Sequence, residues 1–68
     1  MYTVNVYTDT GVKIVLLTFS SLKDAFNYAR LWCRSHKEYT HADVLIEQIG
    51  NHGSVLIGDM AAVARLLS

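Results

Sequence analysis

Three histidines, one cysteine and two strand-borne carboxylates are the side chains best suited to chemistry in this chain, and their spacing speaks against most of it. His36, His41 and His52 fit no zinc-ligand pattern, and Cys33 with His36 supplies at most two ligands where a structural zinc site needs four. A Cys33–His36 nucleophile pair fails because both residues point into one packed helical stripe, with no oxyanion site implied beside them. Asp43 and Glu47 fall on one face of an expected strand. Fully extended, they are roughly 13 Å apart, too far for a retaining carboxylate pair. Gly50, Gly53 and Gly58 match neither a phosphate loop nor a dinucleotide fingerprint, because no helix begins within the Gly50–Gly53 turn. A domain this small rarely encloses a ligand-sized cavity. No catalytic, metal or cofactor residue is assigned, and the chain reads as a non-enzyme.

The remaining candidates crowd into residues 20–37, which hold four of the six basic residues, the single Trp and the single Cys. Ser21 is suited to cap a helix, with Asp24 in its first turn. At 3.6 residues per turn, Leu22, Ala25, Phe26, Ala29, Cys33 and His36 fall in a stripe roughly 100° wide that faces a core. Cys33 therefore reads as a buried, inert thiol. Lys23, Asn27, Arg30, Arg34 and Lys37 form a basic ridge beside that stripe. Tyr28 and Trp32 lie on the other flank, with Leu31 nearly opposite the core. A cationic stripe is commonly just a solvated face, and a Trp beside a core stripe commonly closes the core's edge. Together, however, Tyr28, Arg30, Leu31, Trp32 and Arg34 form the surface a partner-binding helix presents. The alternative is nucleic acid, with Lys23, Arg30, Arg34 and Lys37 on phosphates and Asn27 as a hydrogen-bonding neighbour. No helix-turn-helix, zinc finger or aromatic RNA-binding motif accompanies them, and Tyr7 alone is a weak stacking candidate.

Sixty-eight residues imply one domain, residues 1–68, near the lower limit for folding alone. Half of the residues are hydrophobic and none is Pro. So much apolar material in so short a chain raises the expectation of a homodimer or an adhesive partner surface. A formal net charge of zero argues against charge-driven nucleic-acid binding by the whole domain, though not against a local basic patch. One Cys cannot build a disulfide framework. No signal peptide and no apolar run near 18 residues is visible, so a cytoplasmic, reducing setting without a membrane is expected.

These residues need elements to position them. Residues 1–8 alternate as a half-buried strand, Asp9-Thr10-Gly11 makes a tight turn, and residues 12–19 form a second strand. Pairing Thr8 with Val12 places Val6 opposite Ile14, Val4 opposite Leu16, Tyr7 opposite Lys13 and Asn5 opposite Val15. Val15, Leu17 and Phe19 then lie on the face away from Val4. After the helix, Tyr39 and Thr40 lead into a third strand over residues 41–49. Gly50-Asn51-His52-Gly53 turns, residues 54–57 form a short fourth strand, and Gly58 breaks it. Asp59 caps a last helix over residues 60–67, with Met60, Val63, Ala64 and Leu67 on one face. The expected fold is α+β, β-β-α-β-β-α. A mostly antiparallel four-stranded sheet places the third strand beside the first and carries the long helix on one face. The C-terminal helix packs beside the long one or shields the opposite face. If it does neither, Val15, Leu17, Leu45 and Leu56 form a dimer surface.

Phe19, Ser21, Leu22, Asp24, Ala25 and Ala29, a strand end opening into a helix, resemble a pattern in small phage and mobile-element accessory proteins of the host-takeover and anti-CRISPR-like kind. That resemblance covers about a quarter of the chain and is largely a matter of capping and core spacing. It implies a fold with one helix on a small sheet, and an inhibitor or adaptor that occupies a host protein complex. It transfers no site residue.

Overall fold

Alternation of apolar and polar side chains in the first hairpin, and a 3.6-residue period after Ser21, produce the two layers of this molecule. A computed structural model describes residues 1–39 and 41–68; Thr40, expected in the lead to the third strand, lies outside the described residues. The elements are β1 (Tyr2–Tyr7), β2 (Lys13–Phe19), α1 (Leu22–Ser35), β3 (Asp43–Gly50), β4 (Gly53–Asp59) and α2 (Met60–Leu67). The four strands form one sheet in the order β2-β1-β3-β4, and every neighbouring pair is antiparallel. The fold is α+β, with β3 beside β1.

The first hairpin closes as its turn residues dictate. Thr8 N donates to Val12 O and Gly11 N to Thr8 O, both across 2.9 Å. Gly11 takes φ 84°, a left-handed conformation that costs a glycine nothing. The expected register holds from Tyr7–Lys13 to Asn5–Val15, then shifts by one residue, so Val4 pairs with Leu17 and not Leu16. This β-bulge has a packing consequence. Leu16 and Phe19 both turn toward the core, whereas an unbroken period of two would send Phe19 to the opposite face with Val15 and Leu17. Thr18 takes the outward place, and its hydroxyl lies 3.2 Å from that of Thr3.

Ser21 caps α1, its Oγ accepting from Asp24 N at 3.3 Å. The helix ends at Ser35, where His36 N donates to Trp32 O at 3.0 Å, so Lys37 falls beyond it. Ala25 and Ala29, one turn apart and fully buried, let the helix approach Val4 and Ile46 closely. Gly58 does not break β4: the strand continues through it to Asp59, with Gly58 opposite Ile46 beside a second register shift. Asp59 then caps α2, Oδ1 accepting from Ala62 N at 2.9 Å. Of the face expected inward on α2, Val63 is buried and Met60 half-buried, while Ala64 and Leu67 are exposed.

Val63 joins Val4, Ala25, Ala29 and Ile46 in one core, so α2 sits beside α1 on the same side of the sheet. Both helices are therefore spent on one face, and the other has no helix over it among the described residues. Its outward side chains show the result. Val15 is 59%, Ile49 44% and Leu56 58% exposed; Leu17, drawn opposite Val4 by the bulge, is not one of them. A bare face thus follows from helices packing side by side, an outcome that the conditional expectation of a dimer surface did not include. No described helix is long and apolar enough to cross a membrane.

Candidate functional site

The bare face of the sheet is built around the outward positions of its central strand, Thr3, Asn5 and Tyr7. Across β2 they meet Thr18, Val15 and Lys13, and across β3 they meet Glu47, Leu45 and Asp43. Neighbours lean over β1 from both sides, so Thr3 is 4% and Asn5 1% exposed although no second layer covers them. Tyr7 and Glu47 start four residues apart along the strands and lean toward each other over Asn5. Glu47 Oε1 accepts from the Tyr7 hydroxyl and from Asn5 Nδ2, each across 2.7 Å. Lys13 Nζ approaches the same oxygen at 3.6 Å and stands 5.9 Å above the Tyr7 ring.

This arrangement sets the charge of the site. The Tyr7 hydrogen bond, with smaller help from Asn5, Ser54 and Lys13, outweighs burial and holds the Glu47 carboxyl below its ordinary range. The same bond raises the Tyr7 hydroxyl above its ordinary value. Glu47 is thus an anion at neutral pH, suited to accepting hydrogen bonds and attracting cations and unsuited to shuttling protons. Asn5 Oδ1 is buried without a hydrogen-bond partner. A groove of about 310 Å³, with Thr3, Asn5 and Glu47 in its floor and Lys13, Val15 and Ile49 among its walls, opens over these groups.

The sequence pairs Tyr7 with Lys13 and sets Glu47 with Asp43 on one strand face, but nothing within either strand joins Glu47 to Tyr7 and Asn5. The usable signal was the placement of β3 beside β1, which sets a carboxylate against an Asn and a Tyr on one face.

The residues expected on α1 divide into two groups. Tyr28 is half-buried, packs against the core and lies 5.3 Å from the Phe19 ring. Trp32 is half-buried, stacked on His36 at 4.3 Å and 5.4 Å from Tyr39. It lines a second groove of about 370 Å³ with Cys33, His36, Tyr39, Ala42 and Val44. Cys33 is half-buried, and desolvation raises its thiol above the ordinary value. Lys23, Arg30, Leu31 and Arg34 are exposed on α1 and Asn27 is half-buried, with the Arg30 guanidinium 5.9 Å from the Phe26 ring. Lys37 is exposed in the turn that follows. Among the described residues the ion pair is Lys13–Glu47, so the cations of α1 have no carboxylate partner there. No group of three or more His, Cys, Asp or Glu among the described residues could hold a metal ion.

Comparison of the chain with protein-family models, with curated proteins and with solved structures gave no match.

Proposed function

We propose that this chain is a small non-enzymatic protein-interaction module that presents its bare sheet face to a protein partner. One observation carries the reading: both helices occupy the same side of the sheet, while Val15, Ile49 and Leu56 stand 44–59% exposed on the other. Contiguous apolar patches on small proteins mark interaction surfaces more often than scattered apolar residues do. Arg30, Leu31 and Arg34, exposed on α1, supply a second contact edge, with Tyr28 and Trp32 setting its shape from their half-buried positions. The resemblance of the β2–α1 junction to phage and mobile-element accessory proteins supports an inhibitor or adaptor acting on a host protein complex in the cytoplasm. A homodimer through the sheet face is the competing use of the same surface.

The test compares the unaltered chain with Val15→Lys/Leu56→Lys and with Arg30→Ala/Arg34→Ala as baits, each first shown folded by circular dichroism. Loss of one defined captured protein with the sheet-face variant is the expected result. Equal capture by all three baits would remove both surfaces from the account.

A second reading is nucleic-acid binding through Lys23, Asn27, Arg30, Arg34 and Lys37. It is favoured by the lack of carboxylate partners for these cations among the described residues. It requires retardation of DNA or RNA at low salt, weakening with a slope set by a few phosphate contacts.

A further inference from the structure

We propose that the groove on the bare sheet face receives a guanidinium group, an arginine carried by the protein partner between apolar residues. The proposal rests on the interaction reading above and names what that face would recognise.

The groove floor offers acceptors. The Tyr7 and Asn5 bonds to the Glu47 carboxylate and the Lys13 contact converge on Oε1; a carboxylate has about four acceptor positions, so even with Ser54 beside it Oε2 retains capacity. Asn5 Oδ1 adds a neutral acceptor that lacks a partner in a residue only 1% exposed. Buried acceptors of this kind are normally satisfied, and one that is not calls for a donor. The nearby hydroxyls of Thr3 and Thr18 already bond each other. The complementary ligand is therefore cationic, rich in donors and without acceptors.

Two features favour a guanidinium over an ammonium. Its planar fork presents several N–H groups to adjacent acceptors at once, and it is the more weakly hydrated cation, which suits walls such as Val15 and Ile49. The chain has already placed an ammonium here: Lys13 comes within 3.6 Å of Glu47 yet leaves Asn5 Oδ1 without a partner. The Lys13 side chain is 45% exposed, so it is the wall that can swing aside. Beyond the groove, Leu56 opposite Glu47 provides apolar ground for a residue beside the arginine.

Charge selects the occupant. A second copy stacked face to face would bring together two faces on each of which Asp43 and Glu47 outweigh Lys13, so that negative charge meets negative charge. The arginines of this chain lie on α1 and α2, behind the sheet. A copy could offer them only head to tail, which generates a ring or an open string of molecules in place of a closed pair.

The probe is a seven-residue peptide, acetyl-Val-Thr-Val-Arg-Val-Thr-Val-amide, with versions carrying citrulline or lysine in place of arginine. Each is titrated into the isotopically labelled chain and followed by amide NMR. The arginine peptide is expected to bind at least tenfold tighter than the citrulline peptide, to exceed the lysine peptide, and to shift the Asn5 side-chain amide. Glu47→Gln should abolish that preference. The citrulline comparison uses the unaltered chain, so the outcome does not depend on any variant folding. Equal binding of all three peptides, with shifts at Val15 and Leu56, would overturn the arginine receptor while leaving the interaction face standing. No shift on this face from any peptide, together with concentration-dependent self-association, would overturn both in favour of a second copy.

Discussion

The Tyr7 hydroxyl donates to Glu47 Oε1 across 2.7 Å although the two residues are forty positions apart in the chain. That single bond ties the first hairpin to the second across the central β1–β3 pair, and it roofs Asn5 between them. It also couples the fold to pH at both ends of the scale.

The acid side follows from Glu47. Its carboxyl lies below the ordinary 4.5 in the folded chain, so its contribution to stability is present above that value and lost as pH falls through the folded pKa. On the alkaline side, the Tyr7 hydroxyl lies above the ordinary 10.0. Its contribution is complete below that value and lost as pH rises through the raised one. Glu47→Gln keeps an acceptor but removes the charge. Melting temperatures of the two proteins should differ at neutral pH and converge as pH falls below 4.5 through the lowered carboxyl pKa. A gap that stays constant over that range contradicts the assignment. Tyr7→Phe should shrink the same gap by raising the carboxyl toward its ordinary value.

Burial separates the two faces of the sheet, and truncation should show it without reference to function. Ile46 is fully buried beneath both helices, and Ile46→Ala should cost about 2–5 kcal/mol, enough to unfold much of so small a domain. Leu56 is 58% exposed, and Leu56→Ala should stay within about 0.5 kcal/mol. Urea unfolding of both variants checks the contrast. A large loss at Leu56 in dilute, monomeric protein would mean that the face is covered after all.

Local chemistry was legible in the sequence where one residue decides the outcome. Ser21 and Asp59 stand immediately before apolar helical periods, and both cap as their side chains require. Gly11 fits the only left-handed position of its turn. What escaped detection depends on distant partners. The bulge near Leu16 exists because Phe19 is needed in the core, and nothing within β2 announces that need. Gly58 looks like a strand breaker when β4 is read alone; it is a point of close approach once α2 folds back. The Met60 and Val63 stripe fits a site beside α1 and the far face of the sheet equally well, so the bare face, and with it the Glu47 groove, came into view only with the helices placed.

Gly58 allows a sharp test of that close approach. Its φ of 147° is one that side chains rarely adopt, and a Cβ there would stand 2.8 Å from the Ala62 Cβ. Gly58→Ala therefore combines backbone strain with a clash against α2 and should cost roughly 3 kcal/mol. Gly11 is the control: its φ is also positive, but nothing lies within 4 Å of an added Cβ. Gly11→Ala should cost only about 1 kcal/mol. Thermal melts rank the two, and similar losses would mean that β4 and α2 are not in contact at this point.

Asp59 reports on the weakest element. Eight residues cannot hold a helix in water unaided, so α2 depends on the Val63 anchor and on the bond from Ala62 N to Asp59 Oδ1. Asp59→Ala removes that acceptor and should cost about 1 kcal/mol, whereas Asp59→Asn, which also caps well, should cost much less. The loss should be local before it is global. Amide exchange in α2 should quicken in Asp59→Ala while β1 amides keep their protection until the chain unfolds as a whole. If α2 and β1 amides lose protection equally, the C-terminal helix is part of the same cooperative unit as the sheet, and its cap is holding the whole fold and not one end of it.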